Sequence, residues 1–166
     1  MDVRLRKATV DDVPLLETWD SEPDVAASGG DDDAFDWVHE VPRHVPWREL
    51  LIAEVDGRPV GFMQLIDAAE EETHYWGEVE SGPWAIDIWI GAAADRSRGI
   101  GAEMMRQALE RCFARPGVDH VLIDPLRRNE RAIRFYERLG FHHVGIRWFD
   151  TDECAVMRFD RPGTVA

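Results

Sequence analysis

Cysteine is nearly absent from this chain: Cys112 and Cys154 are the only two among 166 residues. Both lie in apolar periodic segments with no partner at metal-ligand or redox-motif spacing, which argues against a disulfide framework and points to the cytoplasm as compartment. The histidines His39, His44, His74, His120, His142 and His143 include no i, i+4 pair with an intervening Glu, so no metal is expected. There is no run of 18 apolar residues, and Met1-Asp2-Val3-Arg4-Leu5 lacks the apolar stretch of a signal peptide. Cationic charge is also scarce, with 19 Lys/Arg against 33 Asp/Glu and a net charge of −14. Nucleic acids and anionic membranes both need clustered cations to displace their counterions, so neither is expected as a partner. A cationic small molecule suits the balance better. Internal repeats and linkers are missing too, and 166 residues with 45% hydrophobic and 31% charged side chains describe one soluble globular domain over 1–166.

What is present reads as alternating strands and helices. Val3 and Leu5 alternate with charged residues in a first strand, and Thr9 with Asp12 forms a capping-box pair before a helix whose inner face is Val13, Leu16 and Trp19. From Asp20 to Trp47 the chain is acidic and turn-rich, through Ser28-Gly29-Gly30-Asp31-Asp32-Asp33, with a short helix expected around Phe35, Trp37, Val38 and Val41. Leu50 to Val55 and Val60 to Ile66 are strands joined by Asp56-Gly57-Arg58-Pro59, a hairpin signal that makes them antiparallel. A second acidic stretch, Glu70 to Glu80, leads through Ser81-Gly82-Pro83 into the strand Trp84 to Ile90. A helix over Ala102–Phe113, a strand over Val118–Ile123, a helix over Asn129–Leu139 stopped by Gly140, and strands over His143–Phe149 and Ala155–Phe159 follow. The fold class is therefore mixed α/β.

Three features carry chemistry. In the strand, Ile86, Ile88 and Ile90 are expected to face the core, which puts Asp87 on the other face with Ala85 and Trp89. A carboxylate on so apolar a strand needs a partner, because burying it unpaired costs several kcal/mol or forces protonation. Next, Arg96-Ser97-Arg98-Gly99-Ile100-Gly101 stands between that strand and a helix, where exposed backbone N–H groups and the helix dipole favour an anion such as a pyrophosphate. The third glycine of a Rossmann turn and the Gly-Lys-Ser/Thr of a P-loop are both missing. Finally, Asn129 and Tyr136 are seven residues apart, about 700° at 100° per residue, and share one helix face. Taken alone, the glycines serve equally to relieve strain and Tyr136 to pack.

Together, the Arg96–Gly101 turn, its helix, the next strand and the Asn129-x-x-Ala132-x-x-x-Tyr136-x-x-x-Gly140-Phe141 segment resemble the GCN5-related N-acetyltransferases, the GNAT superfamily, over most of the chain. The resemblance implies a mostly antiparallel mixed twisted sheet flanked by helices, with its central strands splayed. It implies acetyl-CoA as cofactor, the backbone from Ile90 to Ala102 as its cradle, and Trp89, Ile90, Arg96, Arg98, Gly99, Ile100, Gly101, Ala102 and Asn129 as its binding residues. Tyr136 would then protonate the departing thiolate.

Within that superfamily the chain resembles the aminoglycoside 6′-N-acetyltransferases, through Gly61-Phe62-Met63-Gln64, the Tyr75-Trp76 and Glu78-x-Glu80 loop, Ile86-Asp87, and Asp124-Pro125. This implies Asp87 as contact and candidate base for the acceptor amine, with Trp76, Glu78, Glu80 and Asp124 as further substrate-binding residues. One departure is that Ala27-Ser28 stands where those enzymes carry a tryptophan pair.

Charge supports the resemblance independently. Residues 1–95 hold 6 Lys/Arg against 23 Asp/Glu, a balance of −17, whereas residues 96–166 hold 13 against 10, a balance of +3. Aminoglycosides are polycations and coenzyme A is a polyanion, so each half suits one substrate. Solvation alone accounts for several of the loop acids Glu70, Glu71, Glu72, Glu78 and Glu80, of which two or three at most are expected to touch substrate. The alternatives are an acetyltransferase of another amine (a polyamine, a siderophore precursor or a protein N-terminus) and a coenzyme-A-binding sensor without turnover. Monomer and homodimer are both compatible with the sequence.

Overall fold

The chain forms seven strands, β1 (Val3–Lys7), β2 (Arg48–Val55), β3 (Arg58–Asp67), β4 (Pro83–Ile90), β5 (His120–Ile123), β6 (His142–Phe149) and β7 (Asp152–Asp160). Its helices among the described residues are α1 (Val13–Asp20), α2 (Trp37–Glu40), α3 (Ile100–Phe113) and α4 (Glu130–Leu139), with single 3-10 turns at Val10–Asp12 and Ala93–Asp95. These elements come from a computed structural model that describes residues 2–23, 35–96 and 98–163. The Ala27-Ser28 departure and the Ser28–Asp33 run lie outside the described residues.

All seven strands form one sheet in the order β1-β2-β3-β4-β5-β7-β6. The β2–β3 turn is tighter than the four residues expected: Asp56 (φ 51°) and Gly57 (φ 84°) are both left-handed, and the ladder resumes with Val55 opposite Arg58. That is the two-residue turn whose twist matches the flanking strands. Every neighbouring pair is antiparallel except β4 and β5, which are parallel over only three pairs, Pro83 with His120, Trp84 with Val121 and Ala85 with Leu122. Beyond Ala85, β4 continues to Ile90 paired with β3 alone. The sheet is thus splayed in its middle, and this gap positions the site.

Alternation sorts the side chains onto two faces. On one face α3 buries Ile100, Met104, Met105, Ala108 and Cys112 against Leu51, Met63, Leu65, Ile86, Val121 and Met157. On the other face two smaller clusters form, one from Leu16, Trp19, Trp37, Ile52 and Phe62, the other from Ala68, Trp76, Ala85, Leu122, Phe149 and Val156. Of the three isoleucines expected in the core, only Ile86 is buried; Ile88 and Ile90 are half-buried against the cluster because β5 has left β4 by then. The helix expected from Ala102 begins two residues earlier, at Ile100, with Gly99 as its N-cap.

Asp12 has two roles at the start of α1. Its carboxylate accepts the Thr9 N–H at 2.7 Å, as the capping-box reading expects, and also takes both guanidinium nitrogens of Arg6 at 2.8 Å. The guanidinium holds the carboxyl below its ordinary range.

Candidate active site

Asp87 is built into β4 where the strand loses its second neighbour. Ala85 before it belongs to one apolar cluster and Trp89 after it packs on the other, so the carboxylate stands between two hydrophobic patches. Gln64, its cross-strand partner on β3, donates Nε2–H to Asp87 Oδ2 at 2.7 Å. Burial dominates nonetheless and raises the Asp87 carboxyl above its ordinary range, with the Gln64 hydrogen bond opposing. A carboxylate so raised is a better proton acceptor near neutral pH than a solvated one. The sequence reading placed Gln64 in a motif but gave it no role; only the β3–β4 register pairs it with Asp87.

Tyr136 packs against the core on the α3 side of the sheet. It sits on α4, half-buried, with its ring 5.7 Å from Phe141 and 5.3 Å from Phe135 between centroids. Its hydroxyl pKa is raised first by burial, then by the charges of Asp87 and Asp124. The phenol therefore stays protonated, as a proton donor must. Asp124 follows β5 and accepts the Tyr75 hydroxyl at Oδ2. Burial first, and then the charge of Asp124, raise the Tyr75 hydroxyl above its ordinary range as well.

The glycine turn follows β4. Gly99 adopts φ 80°, and a Cβ built on it would meet nothing within 4 Å. Open space therefore lies beside the first turn of α3, whose N–H groups have no intrahelical acceptors. Gly101 is different: its Cβ would stand 3.2 Å from the Phe135 ring and 3.7 Å from Ile90 Cδ1. Its lack of a side chain serves helix packing as well as any anion.

The remaining candidates divide between backbone and side chain. Ile100 is buried, and Ala102 lies half-buried in the first turn of α3, so both offer the turn their N–H groups. The Trp89 indole packs on Phe62 (4.6 Å) and Trp37 (5.9 Å), and its Nε1 is buried with no partner among the described residues. Arg96 donates to the carbonyls of Ile90 and Gly91 at 3.4 Å, closing the turn on the end of β4. Arg98 is exposed and donates to Asp95 Oδ1 at 3.2 Å. Asp95 is buried and also takes a bidentate pair from Arg58 at 2.8 and 3.0 Å, which clamps the β2–β3 hairpin to the turn. Sequence reasoning missed Asp95, and no local signal marks it. Ser97 lies outside the described residues. Asn129 caps α4, its Oδ1 accepting the Ala132 N–H at 3.2 Å, which leaves its Nδ2 donors and a second lone pair on Oδ1 outside the cap.

On the acidic loop, Glu78 and Glu80 are exposed. Glu71 is buried and holds Thr73 and Tyr75, while Glu72 pairs with Arg43 at 2.8 Å. These two acids organise the loop. Trp76, expected at the substrate from the sequence, is 5% exposed and packed edge-on to Phe149 at 5.3 Å in the third cluster, and its neighbour Tyr75 carries the polar contact to Asp124. Its period-2 neighbours give no hint of this, since burial there depends on β6 folding over the loop.

A strand that leaves its neighbour beside a glycine-capped helix is the geometry that the resemblance implied, and a model of the acetyltransferase (GNAT) domain matches residues 8–149. The chain belongs to the GNAT acetyltransferases. Among proteins of this family, the chain is 29% identical over 151 residues to aminoglycoside N(6′)-acetyltransferase type 1 of Klebsiella pneumoniae, covering 86% of this chain and 75% of that protein. It is 23% identical over 128 residues to the peptidyl-lysine N-acetyltransferase YiaC of Escherichia coli, covering 69% and 73%. Of solved GNAT structures, the aminoglycoside acetyltransferase AAC(6′)-Ib in complex with ribostamycin and coenzyme A matches with a TM-score of 0.85 at 27% identity, over 97% of this chain and 94% of that one. The same enzyme with coenzyme A and kanamycin matches at 0.82 with 26% identity, over 96% and 95%. No described helix of this GNAT protein is long and apolar enough to cross a membrane.

Proposed function

We propose that this GNAT protein transfers the acetyl group of acetyl-CoA to a primary amine of an aminoglycoside, the 6′-amine, and so confers resistance to it. The observation that carries the reading is Asp87 on β4 where β5 has left the strand, hydrogen-bonded to Gln64 and set between two apolar clusters. Its support from relatives is that the aminoglycoside N(6′)-acetyltransferase type 1 matched over 86% of this chain is named for this reaction.

Coenzyme A fits the residues present. Its pyrophosphate would lie in the open space over Gly99 against the N–H groups of the first α3 turn, where a Cβ finds no atom within 4 Å. The β4 edge from Ile86 to Ile90, unpaired by β5, would hold the amide-bearing arm as an added strand is held, and Asn129 Nδ2 would be a further donor to it. When bound, the thioester supplies an activated acetyl group. Asp87 attracts the acceptor ammonium, holds it at the gap and takes its proton, directly or through water, leaving the nucleophilic neutral amine. Gln64 fixes which Asp87 oxygen faces β3. Tyr136 supplies a proton to the departing sulfur. Exposed Glu78 and Glu80 enrich polycations at the mouth, a contribution that salt will weaken.

A thiol-release screen with acetyl-CoA tests the reading against kanamycin, tobramycin, gentamicin, spermidine and a lysine peptide. Turnover of the aminoglycosides, together with raised kanamycin tolerance in bacteria expressing the protein, is expected. Turnover of spermidine or the peptide alone would leave an acetyltransferase of another amine. Coenzyme A binding without turnover of any acceptor would leave the sensor.

A further inference from the structure

β6 ends the sheet on the side away from β1, and among the described residues it pairs with β7 alone. Seven of its eight residues, His142 to Trp148, are exposed. Three of them are large and apolar: Val144 is 57% exposed, Ile146 50% and Trp148 61%. They recur at every second position, and Ile146 and Trp148, opposite Ala155 and Glu153 of β7, share one face. Beside Trp148 opens a cavity of about 410 Å³, lined also by Arg127, Arg128 and Glu153.

The two ends of the sheet are treated differently. β1 is only five residues long and carries Arg4, Arg6 and Lys7, the kind of charge that keeps an edge from pairing. β6 is eight residues long, has no proline, and its one charged residue, Arg147, donates inward to the Trp76 carbonyl at 3.1 Å. Its ladder with β7 is regular from Gly145 to Phe149, after a bulge at Val144. An open edge of this length accepts an added strand.

The β6 sequence is complementary to itself. A two-fold axis normal to the sheet sets two copies antiparallel, edge to edge, and keeps each face on its own side, so one residue meets its own copy. Centred on Arg147, this places like charges directly opposite, which is destabilising. Centred on Gly145, it sets Trp148 against His142 and Arg147 against His143. Centred on Ile146, every pair fits: Ile146 meets Ile146, Trp148 meets Val144, His142 meets Asp150, and Arg147 meets Gly145, where a Cβ would find nothing within 4 Å. The flanking charges agree with that register. Glu137 on α4 stands 3.5 Å from His143 Nε2 at the start of β6, whereas exposed Arg128 lines the cavity at its end. The same two-fold brings the Glu137 of one copy toward the Arg128 of the other.

We infer that β6 is a dimerisation edge: two copies of this chain join antiparallel about Ile146 into one continuous sheet, each placing Val144 against Trp148 at the mouth of the other's cavity. The inference is independent of which amine the protein acetylates.

Sedimentation equilibrium of the full chain at about 100 μM, where a contact with a Kd of ~10 μM is mostly dimeric, should give twice the chain mass of 19.0 kDa. Ile146→Lys should give the chain mass, with an unchanged far-ultraviolet circular dichroism spectrum. Cysteine substitution reads the register without breaking the contact. Residues directly opposite have Cβ atoms about 5 Å apart, so Ile146→Cys should form an intermolecular disulfide under mild oxidation. Val144→Cys and Trp148→Cys, each about 13 Å from its own copy at ~3.3 Å per residue, should cross-link poorly alone and readily when mixed. The native cysteines are buried and do not compete. A monomeric wild-type protein at that concentration overturns the inference. A dimer that survives Ile146→Lys, or one in which Ile146→Cys cross-links no faster than Val144→Cys, overturns it equally, because the contact then lies elsewhere.

Discussion

Replacing Asp87 by Asn removes the charge and leaves the shape, with Gln64 still 2.7 Å away to pair with the new amide. An acceptor amine with the lysine reference pKa of about 10.4 is neutral in roughly one molecule in 2,500 at pH 7. If Asp87 supplies the proton acceptor, its loss throws the reaction back on that neutral fraction. The expected fall in kcat/KM for kanamycin is therefore about 10²- to 10³-fold, or ~2.7 to 4.1 kcal/mol of transition-state stabilisation, with acetyl-CoA affinity little changed. The pH profiles should differ in form. Wild-type activity rises through the raised Asp87 pKa and then levels, whereas Asp87→Asn activity climbs one decade per pH unit toward the amine's own pKa. Stability should move the other way. A carboxyl whose folded-state pKa is raised gives full stability below its unfolded value, about 3.9, and loses it as pH rises through the folded value. Asp87→Asn should thus melt at a higher temperature than wild type at pH 7, with the difference vanishing toward pH 4. Stopped-assay kinetics from pH 6 to 9.5 and calorimetric melts at both pH values give the answer. A variant that keeps the wild-type plateau, or that melts lower at pH 7, would refute a desolvated catalytic carboxylate.

Tyr136→Phe should lower kcat by about 10²-fold, because a thiol with a pKa near 8.5 leaves without much help, and the raised phenol pKa means no basic limb from Tyr136 below pH 10 in the wild-type kcat profile. Gly99→Ala separates ligand binding from packing: the new Cβ fills the open space at φ 80° at a strain of about 1–2 kcal/mol, and calorimetry should show weakened coenzyme A binding in a folded protein. Gly101→Val should weaken coenzyme A binding and also lower the melting temperature, since it presses on Phe135 beside Tyr136. Asp95→Asn loosens the Arg58 clamp and should cost about 1–2 kcal/mol by urea titration at pH 7. Its carboxyl is held low by Arg58, so that difference is present above the unfolded pKa and shrinks as pH falls through the folded value. Cys112 is fully buried with its thiol pushed up to about 12, and Cys154 is buried as well, so a thiol reagent at pH 8 should titrate no cysteine in the native protein and two after denaturation.

Short-range patterns determined the elements and their order. The period of α3, the Asp-Gly turn between β2 and β3 and the Asn129 and Gly140 caps of α4 all act within a few residues, so composition and spacing suffice to place them. The glycine turn and the Asn129–Phe141 segment were legible for the same reason, because binding an anion at a helix N-terminus needs local backbone geometry. Tertiary structure decided the rest. Only strand register sets Gln64 against Asp87, only the departure of β5 after Ala85 leaves the Asp87 stretch of β4 paired on one side, and only the packing of the acidic loop on β6 buries Trp76 and turns Tyr75 toward Asp124. Asp95 met Arg58 across 37 residues. Each of these pairings joins side chains far apart in sequence, and electrostatic and packing energies depend on distance in space, which the linear pattern does not contain.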